Sequence, residues 1–134
     1  MRNHKPGQRV KILTAGMFAA SAMFLGSPSC AATWISTARS EYGTAYSYDV
    51  DSLEREGAKV TVWIRGVSAY GGSDKTRSRY DCNRRTVTTL SATTYRADGS
   101  VQNSFTWSPG QQAELSVLPG TYADKILRAV CSRK

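Results

Sequence analysis

The stretch KVTVWIRGV, residues 59–67, decides the fold class because its side chains alternate between two kinds. Successive side chains of an extended strand point to opposite faces of a sheet, so one face here is aliphatic and the other is polar or aromatic. The aliphatic face holds Val60, Val62 and Ile64, and the opposite face holds Thr61, Trp63 and Arg65. This alternation predicts a half-buried β-strand whose aliphatic face needs a cover from another layer.

Further strand signals lie on both sides of this stretch. Residues 46–50 alternate large with small or polar side chains, and residues 81–95 are rich in threonine and valine. The sequence Ala97-Asp98-Gly99 is typical of a hairpin turn. We predict strands at residues 34–37, 46–50, 59–67, 81–95 and 100–107, and the short segment 114–118 stays ambiguous.

Two segments are predicted to be something other than strand. Residues 66–79 are polar and have Gly71-Gly72 at their centre, so we interpret them as a turn-rich segment. The sequence Asp51-Ser52-Leu53-Glu54 matches a capping box, in which Asp51 caps a helix start and Glu54 reaches back to it. This motif predicts a single helical turn that Gly57 ends.

The C-terminal segment changes to a helical period. Thr121 can cap the helix with Asp124 three positions later, and one apolar stripe follows, formed by Ala123, Ile126, Leu127, Val130 and Cys131. The fold class is therefore α+β, in which a small antiparallel sheet of about five or six strands packs against a C-terminal α-helix.

Residues 1–31 are typical of a secretory signal peptide. A basic start is followed by an uncharged apolar run, residues 12–25, and by a small-residue cleavage site with cuts after Ala31 or Ala32 both allowed. Lipidation of Cys30 is disfavoured because Ser27-Pro28-Ser29 lacks a branched apolar residue. We expect one domain at residues 32–134, exported to the periplasm or the outer surface, with no transmembrane segment.

Two cysteines remain in that domain, Cys82 and Cys131, and in an exported chain they are most simply one disulfide. Two free buried thiols are the alternative. Four of the 18 basic residues and none of the 10 acids lie in residues 1–31, so the formal net charge of +8 overstates that of the domain. The mild positive charge argues against a dedicated nucleic-acid binder.

The composition also argues against an enzyme. The single histidine, His4, lies in the signal segment, so the domain cannot form a Ser-His-Asp or Cys-His site. No phosphate-binding glycine motif is present. Asp49 and Asp51 could form a carboxylate pair, but a strand end and a turn cap explain them better. We predict no catalytic residues, no metal site and no cofactor.

The candidate ligand-binding residues are basic and lie close together in the sequence. If residues 75–80 are extended, three cations project from one face, and two more follow soon after in the sequence. The five candidates are Lys75, Arg77, Arg79, Arg84 and Arg85. Such a patch attracts polyanions, for example a sulfated glycan, lipopolysaccharide or an acidic protein segment. Alternatively, these cations keep an edge strand or loop soluble.

The order of several short motifs resembles the surface-adhesin protein E family of exported bacterial proteins. The resemblance covers nearly all of the domain. The matching residues are Trp34, Gly43, Tyr46-Ser47-Tyr48-Asp49, Ser52, Val62-Trp63, Asp81-Cys82, Arg84-Arg85, Tyr95-Arg96-Ala97-Asp98-Gly99, Trp107, Pro119-Gly120 and Cys131.

That resemblance implies a sheet packed on a C-terminal helix, with Cys82 and Cys131 bridged. It also implies a family whose type member is an outer-membrane lipoprotein that binds host matrix proteins such as vitronectin and laminin and can form homodimers. The nearest equivalent of its basic binding segment here is residues 75–79. We therefore expect a non-enzymatic adhesin that binds a matrix protein or an anionic glycan. The alternative function is a periplasmic accessory or inhibitor protein acting on an envelope partner.

Overall fold

The computed structural model describes residues 31–134, so most of the predicted signal segment, including His4 and Cys30, lies outside the described residues. Eight strands and one helix follow in chain order. They are β1 (Trp34–Arg39), β2 (Ala45–Asp49), β3 (Glu54–Glu56), β4 (Lys59–Val67), β5 (Ser73–Asp81), β6 (Thr86–Tyr95), β7 (Val101–Thr106), β8 (Glu114–Ser116) and α1 (Tyr122–Cys131).

All eight strands belong to one antiparallel sheet. Six run side by side in the order β1-β2-β4-β5-β6-β7, while β3 pairs with β4 and β8 pairs with β6. The predicted α+β class is confirmed, with more strands than the five or six expected. The additional strands β3 and β8 have three residues each, which is too short for an alternating pattern to reveal them.

Strand β5 corrects the prediction of a turn-rich segment at residues 66–79. The turn is confined to the short connection after β4, and Ser73–Asp81 is a strand between β4 and β6. Both faces of β5 carry mostly polar side chains, so no apolar alternation marks it. The predicted strand 81–95 is accordingly divided, because a turn at residues 82–85 separates β5 from β6.

The predicted capping box is also corrected. The cap is Asp49, whose side chain accepts a hydrogen bond from the Asp51 backbone N–H, and the turn is a 3₁₀ turn at Val50–Ser52. Glu54 starts strand β3 and does not reach back to a cap. Gly57, at φ 60°, occupies the tight turn that pairs β3 with β4, which explains why glycine stands there.

Helix α1 covers one face of the sheet, which we call the helix face. The predicted cap is confirmed, because Thr121 Oγ1 accepts a hydrogen bond from the Asp124 N–H at 3.2 Å. The predicted disulfide between Cys82 and Cys131 is present and ties the end of the helix to the turn after β5. The buried core comprises Tyr48, Val60, Val62, Ile64, Tyr80, Val117, Ile126, Leu127 and Val130.

Asp124 is a buried carboxylate on this helix. It accepts hydrogen bonds from the Gly120 backbone N–H at 3.0 Å and from the Arg85 guanidinium, and it also pairs with Arg128 at 3.2 Å. These contacts lower the pKa of Asp124. The hydrogen bond from the Gly120 N–H is the largest cause, and the hydrogen bond from Arg85 is the second. The ionised form of this side chain therefore stabilises the folded state.

We expect Asp124→Asn to destabilise the protein near neutral pH, and we expect this loss of stability to be smaller in acid. A carboxyl whose folded pKa lies below its unfolded value stabilises the fold above the unfolded pKa of about 4. That contribution is lost as the pH falls through the folded pKa. The difference in Tm between wild type and Asp124→Asn should thus shrink below pH 4 or so. The exposed Glu41→Gln serves as the control, and a Tm difference independent of pH would contradict this account.

Candidate functional site on the open face of the sheet

The face of the sheet opposite the helix, which we call the open face, carries the basic side chains of β5. Cross-strand partners project from the same face of a sheet, and β5 pairs in register with β4. Lys75 lies opposite Arg65, Arg77 opposite Trp63, and Arg79 opposite Thr61. The expectation that the three cations share one face when extended therefore agrees with the strand geometry.

Arg84 and Arg85 lie apart from those three, in the turn between β5 and β6. Arg84 pairs with Glu114 at 3.2 Å, and Arg85 pairs with the buried Asp124 of the helix. Arg85 also has φ 55°, a backbone conformation that is uncommon for a residue with a side chain. The structure thus groups three of the five candidates and places the other two in ion pairs at the end of the sheet.

The three grouped cations differ in their own contacts. Arg77 pairs with Glu54 of β3 at 3.3 Å, and Arg79 reaches the Gln112 side-chain oxygen at 3.5 Å. Lys75 has no acidic group within ion-pair distance among residues 31–134. Lys75 and Arg79 are therefore the β5 cations that no acidic side chain of residues 31–134 compensates.

Arg65 is a further candidate binding residue, which the sequence analysis did not single out. Its guanidinium stacks over the Trp34 ring at 4.5 Å, and the Lys75 ammonium lies 5.9 Å from the same ring and 5.5 Å from the Tyr95 ring. Within the described chain Arg65 makes no ion pair, and its buried Nε has no hydrogen-bond partner. The alternating pattern of β4 placed Arg65 on the polar face, but its position directly opposite Lys75 depends on the register between β4 and β5.

Two adjacent clefts on the open face meet at Lys75 and Tyr95. One has a volume of about 300 Å³ and is lined by Trp34, Asp49, Trp63, Lys75, Thr93 and Tyr95. The other has a volume of about 370 Å³ and is lined by Arg65, Val67, Gly71, Ser73, Lys75, Tyr95 and Gly99. This arrangement of cations between aromatic rings can attract and hold an anionic group.

A larger groove of about 500 Å³ has a different character. Asp74 lines this groove, and burial raises its pKa. The pKa of Tyr46, which also lines the groove, is raised to about 12, mainly by burial and secondly by the electrostatic effect of nearby Tyr122. The rings of Tyr46 and Tyr122 stack with centroids 4.8 Å apart. This groove lacks the opposed pair of cations, so the open face is the better candidate for binding an anion.

Asp49 and Asp51 have backbone roles in the structure. Asp49 is buried, and its Oδ1 accepts hydrogen bonds from the Thr33 and Asp51 N–H groups, both at 3.1 Å. Its Oδ1 is therefore occupied by backbone N–H groups at the end of β2. Across residues 31–134, no cluster of histidine, cysteine or acidic side chains has the arrangement of a metal site.

Comparisons with known proteins agree with this fold. The family described as surface-adhesin protein E matches residues 34–132, and no curated protein matches the chain. Crystal form II of Haemophilus influenzae protein E has a similar fold, with a TM-score of 0.50 and 13% sequence identity over 72% of this chain and 87% of that one. No helix in the described range is long and apolar enough to cross a membrane. The chain belongs to the surface-adhesin protein E family and is thus a surface-adhesin-like protein.

Proposed function

We propose that this protein is a non-enzymatic adhesin that binds an acidic extracellular partner, a matrix protein or an anionic glycan, through the open face of its sheet. The observation that carries the proposal is the direct cross-strand opposition of Arg65 and Lys75. Neither cation has an acidic partner within the described residues. An anionic ligand would supply the missing charge.

The energetics of the sheet support this interpretation. Like charges directly opposite each other on neighbouring strands are destabilising, so such a pair lowers the stability of the free protein. Arg79 adds a third cation without an acidic partner to the open face, because its contact is with the neutral Gln112 amide. A strip of cations on a sheet face raises the local concentration of acidic partners and speeds their association.

Removing two open-face cations should weaken binding to an immobilised extracellular-matrix extract. We expect the double variant Lys75→Ala, Arg79→Ala to bind about tenfold more weakly than wild type, because charge-assisted contacts are lost. The matched control is the double variant Lys125→Ala, Lys134→Ala. It also removes two positive charges, one from helix α1 and one from residue 134, away from the open face. Binding of the wild type should weaken as salt is added.

Two results would contradict the proposed function. One is equal binding by the wild type and both double variants, which would show that the open face is not the contact surface. The other comes from protease added to intact cells, with a periplasmic protein as the control for leakage. An adhesin must be degraded under these conditions, whereas protection would favour the periplasmic accessory function.

A further inference from the structure

We infer that the ligand of the open face is an acidic oligosaccharide, held by Arg65 and Lys75 and bounded by the rings of Trp63 and Tyr95. This inference rests on the proposed function, because it names the chemical class that the same surface would bind. Three features of the described residues carry it: donor groups without acceptors, a row of hydroxyl groups, and aromatic walls on both sides of that row.

The first feature is that Arg65 and Lys75 have no acidic partner within the described residues. Guanidinium and ammonium groups carry only hydrogen-bond donors. Stacking on Trp34 holds the Arg65 guanidinium in place, and its Nε is buried, so its terminal nitrogens are the donors that a ligand can reach. A planar, fixed guanidinium suits two-point binding of a sulfate or carboxylate, and the neighbouring ammonium adds a second charge. The site therefore calls for an anionic group.

The second feature is the row of side chains across the sheet at this level. Arg65 pairs with Ser47 on one side and with Lys75 on the other, and the row continues through Thr93 to Ser104. The Thr93 and Ser104 hydroxyls lie 3.0 Å apart. Hydroxyl groups both donate and accept hydrogen bonds. The cations are thus flanked by groups that can pair with the hydroxyls of a sugar.

The third feature is the position of the aromatic rings. Trp63 lies two residues before Arg65 on β4, and Tyr95 lies two residues after Thr93 on β6, so they stand on opposite sides of the row. Trp63 lines one of the two clefts, and Tyr95 lines both. The C–H groups on the face of a pyranose ring pack well against aromatic rings. Because the clefts adjoin at Lys75, they suit more than one sugar unit.

The location of the site argues against an acidic peptide. Extended peptides usually bind by adding a strand to a free sheet edge, where backbone groups are available. Strands β4 and β5 are interior strands, and each is paired on both sides at the level of Arg65 and Lys75. A peptide would gain no backbone hydrogen bonds there, whereas a sugar needs only side-chain partners.

Titrations of the exported protein with three probes, followed by tryptophan fluorescence and by isothermal calorimetry, would test this inference. The probes are a heparin-derived tetrasaccharide, its desulfated form, and polyglutamate of matched charge. We expect the sulfated tetrasaccharide to bind and the desulfated form to bind far more weakly. Lys75→Gln and Tyr95→Leu should each weaken binding by about fivefold or more. The exposed Tyr70→Leu is the matched control and should bind like the wild type.

Tyr95→Phe retains the ring and should retain tetrasaccharide binding, which separates loss of the aromatic contact from misfolding of Tyr95→Leu. Tyr95→Leu should not change the binding of polyglutamate. Equal binding of polyglutamate and tetrasaccharide, with no effect of Tyr95→Leu on either, would overturn the oligosaccharide inference and leave the proposed function standing. If neither probe binds and Lys75→Ala, Arg79→Ala also leaves matrix binding unchanged, the proposed function itself fails.

Discussion

Replacing Cys82 and Cys131 together by serine should lower the free energy of unfolding by about 4 kcal/mol. The disulfide joins residues 49 positions apart, so it removes many conformations from the unfolded chain. A small domain has a total stability of roughly 5–15 kcal/mol, so this loss is a large share of it. The bond also fixes the last turn of α1 to the sheet, and without it the helix end depends on side-chain packing.

Chemical denaturation of the wild type and the double variant, followed by circular dichroism, would measure this loss. Wild-type protein treated with a reducing agent is the control, because it loses the same bond while keeping both sulfur atoms. It should unfold at nearly the same denaturant concentration as the double variant. A difference below about 1 kcal/mol between oxidised wild type and the variant would contradict the stabilising role.

Leu127→Ala should destabilise the domain by about 2–5 kcal/mol. Leu127 is 2% exposed and belongs to the core between helix and sheet, together with Ile126, Val130 and residues of β2 and β4. Shortening it removes apolar contacts and leaves a cavity, because the sheet beneath the helix is held by its own hydrogen bonds and cannot collapse to fill the space.

The matched control for this change is Leu118→Ala, since Leu118 is 66% exposed just before the helix. Its substitution should change the unfolding free energy by about 0.5 kcal/mol or less. Denaturation curves of both variants would compare the two positions directly. Equal effects of the two changes would mean that the helix does not pack on the sheet as described.

The two faces of the sheet divide stability from binding. The helix face supplies the apolar core and holds the buried Asp124, while the open face carries half-buried cations and aromatic rings. Substitutions at Lys75 or Arg79 remove little apolar surface from the core. Their effects on binding should therefore be separable from effects on folding, which makes the binding experiments interpretable.

The sequence by itself determined the features that depend on local pattern. Strict alternation identified β4, helical spacing of apolar residues identified α1, and Ala97-Asp98-Gly99 identified the turn between β6 and β7. The pairing of Cys82 with Cys131 was also predictable, since they are the two cysteines of the predicted domain. Each of these signals is carried by residues close together in the chain or by a count of residues.

Tertiary structure alone decided which polar side chains meet. Strand β5 lacks an apolar pattern and is formed because β4 and β6 pair with its backbone on both sides. The same register places Arg65 opposite Lys75, while the turn after β5 directs Arg85 to Asp124. These contacts join residues far apart in sequence, and a shift of one residue in register would move every side chain of a strand to the other face. The sequence of β5 lacks the apolar pattern that would record this register, which is set when the helix and the neighbouring strands bury the core together.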